Sequence, residues 1–329
     1  MNDAAGSRKS CPWPRAALVR RIHLQARKFL TDRHDETGSW RRKLNEFYWC
    51  EGLLRWTGLY KSGHQRMIRP VAVEDEIPVP SLPQAFDGLR VLHLSDLHFD
   101  LEPKLVEVAT ELVSRLSFDV CLMTGDCRDR LSHGGDAGVE MAIRFLRGLG
   151  APVYLCLGNH DLISDARRIR GGGITLLINE GTFLERKGER LYLCGVDDCG
   201  YFRTDDFDAA FETVPNGACA IVLSHDPEGY RKAADHGAAL MLSGHTHGGQ
   251  LCLPGGVPLF THSRCPRRMV AGAWSYGDLQ GYTSRGLGGS RVAARLFCDG
   301  EIAVHTLRCA GMATNSEPIS NATPEIIPA

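Results

Sequence analysis

From residue 89 onward, short apolar runs alternate with amphipathic stretches. The runs at 91–95, 120–124, 153–157, 220–224 and 239–243 are nearly continuous in apolar residues, the pattern of strands buried on both faces. Residues 101–116 and 136–149 instead repeat apolar positions at helical spacing. Strand, helix and strand in this order predict parallel pairing with right-handed crossovers, hence an α/β fold. Past Ile174 the runs crowd together (175–178, 191–196, 218–224), which predicts a second sheet. Residues 291–298 and 301–307, separated by Asp299-Gly300, read as a closing hairpin. No internal repeat is visible.

The chain before residue 66 follows another pattern. Residues 1–15, with Pro12 and Pro14, read as disordered. Residues 16–30 predict an amphipathic helix with Leu18, Ile22, Ala26 and Phe29 on one face and Arg20, Arg21, Arg27 and Lys28 beside it. A second helical stretch at 40–59 carries Trp40, Leu44, Phe47, Tyr48, Leu54 and Trp56. Residues 16–65 therefore form a basic amphipathic arm. Two readings stand for it: a helix lying in an anionic membrane surface, or an arm packed on the body or on a second subunit. Residues 70–87 are Pro-rich and extended, a linker or edge strand leading into a body that spans 66–310. The polar tail at 311–329 reads as disordered.

Charge sharpens this division. The net charge of −1 hides 15 Lys/Arg against six Asp/Glu in residues 1–70, so a +9 arm precedes a −10 body. Such an arm suits an anionic surface, and no nucleic-acid recognition fold accompanies it. The 12 cysteines form no CxxC pair and several sit inside predicted strands, the usage of a reduced compartment. No apolar run reaches the roughly 18–20 residues of a spanning helix, and no signal-peptide core is present. These features predict a cytoplasmic protein, peripheral on the inner face of the membrane where the membrane reading of the arm holds.

Each of the five apolar runs ends in residues that bind metals: Asp96-Leu97-His98, Gly125-Asp126, Gly158-Asn159-His160-Asp161, His225 and Gly244-His245-Thr246-His247. Open α/β sheets place their sites at the carboxyl ends of strands. Two cations close together need a shared carboxylate to offset their repulsion, and Asp126 is the candidate. Histidine and carboxylate donors suit Mn, Fe, Zn or Co better than Ca. Asn159 adds a neutral carbonyl oxygen.

The ordered set D-x-H, G-D, G-N-H-D, H and G-H-x-H resembles the calcineurin-like metallophosphoesterase superfamily. Residues 243–250, Ser-Gly-His-Thr-His-Gly-Gly-Gln, narrow the resemblance to YkuE/YaeI-like phosphodiesterases, related to UDP-2,3-diacylglucosamine pyrophosphohydrolases of lipid A synthesis. The segment 88–98 and Gly286-Leu287-Gly288 fit the same subgroup. The resemblance implies a four-layer α/β/β/α sandwich. It implies one metal on Asp96, His98, Asp126 and His247 and a second on Asp126, Asn159, His225 and His245, with Mn expected and Fe or Zn as alternatives. A metal-bridging hydroxide would attack phosphorus. His160 would donate to the leaving group or phosphate, and Asp161 would orient its ring. Residues 125–130 also resemble the G-D-x-x-D-R of phosphoprotein phosphatases, which makes Arg130 a candidate phosphate contact. His93 reads as a core histidine, and His133 and His262 as solvated loop residues. Residues 170–173 lack the Lys-Ser/Thr of a phosphate-binding loop.

The expected activity is hydrolysis of a phosphodiester or pyrophosphate on a membrane lipid or lipid-linked nucleotide. The alternatives are a soluble phosphodiesterase or phosphomonoesterase acting on nucleotides or phosphoproteins, with the arm serving oligomerisation, and a non-catalytic scaffold.

Overall fold

Two sheets stack face to face, because the inner faces of both are apolar. The computed structural model describes residues 15–36, 46–131, 135–310 and 325–327. The arm contributes α1 (Arg15–Glu36), α2 (Glu46–Trp56) and α3 (Leu59–Met67). The body then runs β1 (Val71–Val79), β2 (Arg90–Leu94), α4 (Leu105–Ser114), β3 (Val120–Met123), α5 (Gly135–Gly148), β4 (Val153–Leu155), α6 (Asp165–Gly171) and β5 (Thr175–Leu176). It continues through β6 (Glu180–Arg186), β7 (Glu189–Gly195), α7 (Phe207–Phe211), β8 (Ala220–Leu223), α8 (Tyr230–Asp235) and β9 (Leu240–Ser243). The last strands are β10 (Cys252–Leu253), β11 (Val257–Pro258), β12 (Gly272–Tyr276), β13 (Leu279–Thr283), β14 (Glu301–Cys309) and β15 (Glu325–Ile327).

The first sheet has the order β15-β1-β14-β2-β3-β4-β5 and the second β12-β13-β9-β8-β7-β6. In both, the strands that carry the metal-binding motifs are parallel neighbours: β2, β3 and β4 in one, β8 and β9 in the other. Leu122, Val91 and Cys156 of the first sheet pack against Leu193, Ile221 and Leu242 of the second. Each fully buried aliphatic side chain there contributes roughly 1.5–3 kcal/mol. Leu105, Ala109, Leu112 and Val113 of α4, with Val139, Ala142 and Leu146 of α5, cover the outer face of the first sheet. Phe207 and Ala210 of α7, with Tyr230 and Ala233 of α8, cover the second. The result is the expected α/β/β/α sandwich.

Four local expectations need correction. Residues 291–298 form no strand. Instead Gln250 Nε2 donates to the carbonyls of Ser290, Val292 and Ala294, and the Leu296 carbonyl accepts the Cys252 N–H. The strand at Glu301–Cys309 inserts between β1 and β2 rather than closing a hairpin. Within the described part of the 40–59 stretch the helix spans Glu46–Trp56, and after Gly58, whose φ of 76° lies in the left-handed region, a separate helix runs over Leu59–Met67. Residues 71–79 are an inner strand, and 325–327 of the tail pair antiparallel with them. Residues 1–14 and the rest of the tail lie outside the described residues.

Candidate metal centre

After β2, β3 and β9 the chain leaves the motif strand in a left-handed turn. Asp96, His98, Asp126, His245 and His247 all have φ between 43° and 67°. This conformation costs non-glycine residues energy, and such strain gathers at functional sites. Two glycines let the loops after β3 and β4 touch: a Cβ on Gly125 would lie 2.5 Å from the Gly158 nitrogen, and one on Gly158 would lie 2.1 Å from Asp126 Oδ1. The Gly-Asp and Gly-Asn-His-Asp motifs therefore reflect backbone contact as well as chemistry.

The seven sequence-predicted ligands come together at one end of both sheets. Asp96 Oδ1 lies 3.3 Å from His247 Nε2 and 3.8 Å from His98 Nε2. Asp126 Oδ2 lies 3.6 Å from His98 Nε2 and 3.2 Å from His225 Nε2, so it faces both halves of the site. Asn159 Oδ1 lies 3.0 Å from His225 Nε2 and 3.0 Å from His245 Nδ1. Two donors about 2.1 Å from one ion and at right angles are ~3.0 Å apart, so these spacings suit ligands around cations.

The remaining atom of most ligands is already engaged. His98 Nδ1 donates to the Arg128 carbonyl and His225 Nδ1 to the Thr124 carbonyl, leaving each Nε2 as the coordinating atom. His245 Nε2 donates to the His262 carbonyl, which leaves Nδ1 for the site. Ser95 and the His245 N–H occupy Asp96 Oδ2. By contrast, Asp96 Oδ1 and His98 Nε2 are buried without a hydrogen-bond partner. An orphaned carboxylate oxygen beside an orphaned imidazole nitrogen fits a cation between them.

The electrostatics agree. Burial disfavours charge on His98, yet Asp96, Asp126 and Asp129 raise its pKa to about 9. Burial likewise opposes a charged His225, but Asp126 and Asp96 raise it to about 10. Burial would raise the Asp96 and Asp126 carboxyls, but the surrounding histidines hold both well below the ordinary range. The carboxylates draw protons to imidazoles that would bind cations in their place.

The candidate catalytic residues differ in placement. His160 sits beside the site, its Nδ1 donating to the Asp129 carbonyl at 2.6 Å and its N–H to Asp126 Oδ1. Burial, then the nearby charge of Lys28, holds its protonation well below the ordinary range. Asp161 does not orient that ring. Its carboxylate accepts the backbone N–H groups of Asp126, Cys127 and Gly158, tying the two metal-binding loops together. The ring is instead oriented by Asp129, the second acidic residue of the Gly125–Arg130 segment. Arg130 is exposed and absent from the lining of the cleft, while buried Arg128 is bound by Asp165 and Asp136. His262 contributes through its carbonyl, and His133 lies outside the described residues.

A cleft of about 430 Å³ opens over the site, lined by His160, His245, His247, Tyr201, Phe260, Arg264 and Arg291 among others. Sequence reasoning missed two supports. Arg295, fully buried, donates to the carbonyls of His247, Gly286 and Gly288. The second is where α1 packs: the reading of the arm as packed on the body holds for this helix, which lies against the loop after β4. Arg21 donates to the carbonyls of Gly158 and Asp161, Gln25 to that of Asp161, and Lys28 to that of Asn159. The face of α1 turned to the body is polar, while Val19 and Ile22 are exposed.

Residues 89–249 match the family model for calcineurin-like phosphoesterases. The metallophosphoesterase YkuE of Bacillus subtilis (strain 168) is 29% identical over 264 residues, covering 75% of this chain and 89% of YkuE. The phosphodiesterase YaeI of Escherichia coli (strain K12) is 31% identical over 234 residues, covering 65% of this chain and 80% of YaeI. YkoQ of Bacillus subtilis (strain 168), also described as a metallophosphoesterase, is 29% identical and covers 67% of this chain and 83% of its own.

Proposed function

The chain belongs to the calcineurin-like phosphoesterase family, and from that premise we propose that it is a two-metal hydrolase of a phosphodiester or pyrophosphate carried by a membrane lipid or lipid-linked nucleotide. One observation carries the two-metal reading: Asp126 Oδ2 faces Nε2 of both His98 and His225. Asp96, His98, Asp126 and His247 would hold one ion, and Asp126, Asn159, His225 and His245 the other. Divalent ions held there, with Mn²⁺ first in expectation, would polarise the phosphoryl oxygens and lower the pKa of the attacking water.

The chain's own residues supply the rest. With Nδ1–H committed to the Asp129 carbonyl, His160 Nε2 is the atom that holds or passes a proton at the leaving-group oxygen. A phosphate beside that ring favours its protonated form, opposing the effect of burial. Asp161 keeps the Asp126 and Asn159 loops in register, so the bridging and carbonyl donors stay aimed at one point.

The lipid class is supported by the surface. Val19, Ile22, Trp49, Leu53 and Trp56 are exposed on the basic arm, and Leu259 and Phe260 are exposed beside the cleft. Among the described residues no helix is long and apolar enough to cross a membrane. Apolar residues interleaved with Arg20, Arg27 and Arg55 suit a helix lying in an anionic interface. The phosphoprotein alternative leaned on Arg130, which is exposed and absent from the lining of the cleft.

The test is hydrolysis by metal-stripped protein with Mn²⁺ restored. The panel is bis-p-nitrophenyl phosphate, p-nitrophenyl phosphate and UDP-2,3-diacylglucosamine in detergent. Release of UMP from the glycolipid, lowered roughly 10²–10⁴-fold by His160→Ala, is the expected result. Turnover of the chromogenic diester alone would remove the lipid substrate, and no turnover by metal-loaded protein would favour a scaffold.

A further inference from the structure

Away from the metal centre, a second concavity of about 980 Å³ opens between α3 and the segment after Arg295. Lys61, Arg66 and Arg69 line one wall, and Leu296, Phe297 and Asp299 the other. The Arg66 guanidinium donates to Asp299 Oδ1 at 2.8 Å and ties the two walls together. Behind the groove α3 is seated closely. The Gly63 carbonyl accepts the Arg295 N–H, and a Cβ on Gly63 would lie 3.0 Å from the Ala294 Cβ.

Charge in this groove is one-sided. Residues 59–69 contain no Asp or Glu, and Asp299, the one acid among the described lining residues, is paired with Arg66. Lys61 and Arg69, both exposed, leave the groove positive. Its rim is apolar: Leu59 and Phe297 are exposed, and so is Trp56 just before it. Large apolar side chains in water beside clustered cations fit a surface that offers hydrocarbon and anions side by side. This surface continues to the catalytic cleft. Leu251 bridges to Leu296, and a Cβ on Gly256 would lie 3.7 Å from the Phe297 carbonyl oxygen. The β10–β11 hairpin therefore abuts the second wall. It exposes Leu253, Val257 and, just after it, Leu259, while Phe260 lines the cleft.

We propose that the groove between α3 and residues 296–299 binds the phosphate headgroup of an anionic phospholipid, docking the protein on a bilayer with the apolar hairpin and the cleft mouth along the same surface. Lys61 and Arg69 hold the phosphate, and Leu59 and Phe297 rest in the acyl boundary. The proposal deepens the membrane-surface reading of the arm and rests on it. It needs neither the metal centre nor a lipid substrate.

Lys61→Gln with Arg69→Gln removes both charges at exposed positions, where substitutions leave the fold intact. The readout is partition of the full chain onto vesicles of phosphatidylcholine with phosphatidylglycerol, against vesicles of phosphatidylcholine alone. Arg144→Gln with Arg147→Gln, exposed on α5, makes the same change of net charge elsewhere and serves as control. A basic residue at an anionic membrane surface contributes a factor of about five, so the groove variant should lose roughly 25-fold in affinity for the anionic vesicles. The control should bind as wild type does, and turnover of bis-p-nitrophenyl phosphate should be unchanged in both. Wild-type affinity in the groove variant would overturn the proposal. Equal losses in the two variants would also overturn it, reducing the effect to net charge. If Ile22→Ser with Trp56→Ser weakens binding while the groove variant does not, the membrane-surface reading survives and the groove alone is removed. Wild-type protein that binds neither kind of vesicle would sink that reading and the proposal together.

Discussion

The two sheets supply different halves of the centre. Strand ends of the first sheet bring both carboxylates, Asp96 and Asp126, with His98 and Asn159. Strand ends of the second bring imidazoles alone, His225, His245 and His247. Neither half is complete. The first concentrates negative charge that is buried and, at Asp96 Oδ1, unpartnered. The second offers imidazole nitrogens, which bring no negative charge to hold a cation. The centre therefore exists only while the apolar faces of the two sheets stay packed, which links metal binding to folding. It also makes Asp126 the residue on which both halves converge.

The largest expected effect follows from that asymmetry. Asp126→Asn removes the charge shared by His98 and His225, and kcat/KM should fall by at least about 10³-fold, some 4 kcal/mol of transition-state stabilisation. Metal content of the purified variant should fall with it. A variant that keeps two Mn²⁺ per chain would break the claim that one carboxylate bridges the halves. Asp161→Asn probes the layer beneath. It replaces an acceptor of three backbone N–H groups by an amide with a single acceptor oxygen. Mn²⁺ affinity should weaken roughly 10- to 100-fold, with kcat at saturating Mn²⁺ less affected. An equal loss of kcat at saturating metal would assign Asp161 a part in the chemistry itself.

The strand ends were legible because two signals coincide there: a continuous apolar run reports burial, and Asp or His directly after it reports chemistry. Both sheets and all seven candidate ligands could be placed on those signals. Other features left no such trace. Gln250 satisfies three carbonyls of the 290–294 segment, and that segment has the residues of a strand without its ladder. The pairing of His160 with Asp129 runs through a main-chain carbonyl, so adjacency in sequence pointed to Asp161 instead. The same holds for α1. Its apolar positions at helical spacing suggest the buried face, yet Arg21 and Gln25 make the contact, because the carbonyls of the 158–161 loop are acceptors that long polar side chains reach.

This inverted helix sets the smallest and most discriminating effect. Deleting the arm would remove Arg21, Gln25 and Lys28 from the 158–161 loop along with any membrane contact, so loss of activity after truncation would not distinguish the two. Substitutions on the outward face do. Ile22→Ser with Trp56→Ser changes side chains that are 48% and 84% exposed, so stability should move by no more than about 0.5 kcal/mol per site. Turnover of bis-p-nitrophenyl phosphate should be unchanged. If the arm lies in a bilayer, flotation with anionic vesicles should weaken severalfold and hydrolysis of a vesicle-borne glycolipid should fall with it. Wild-type-like flotation by the double variant would leave α1 with only its inward role, holding the loop that carries Asn159 and His160.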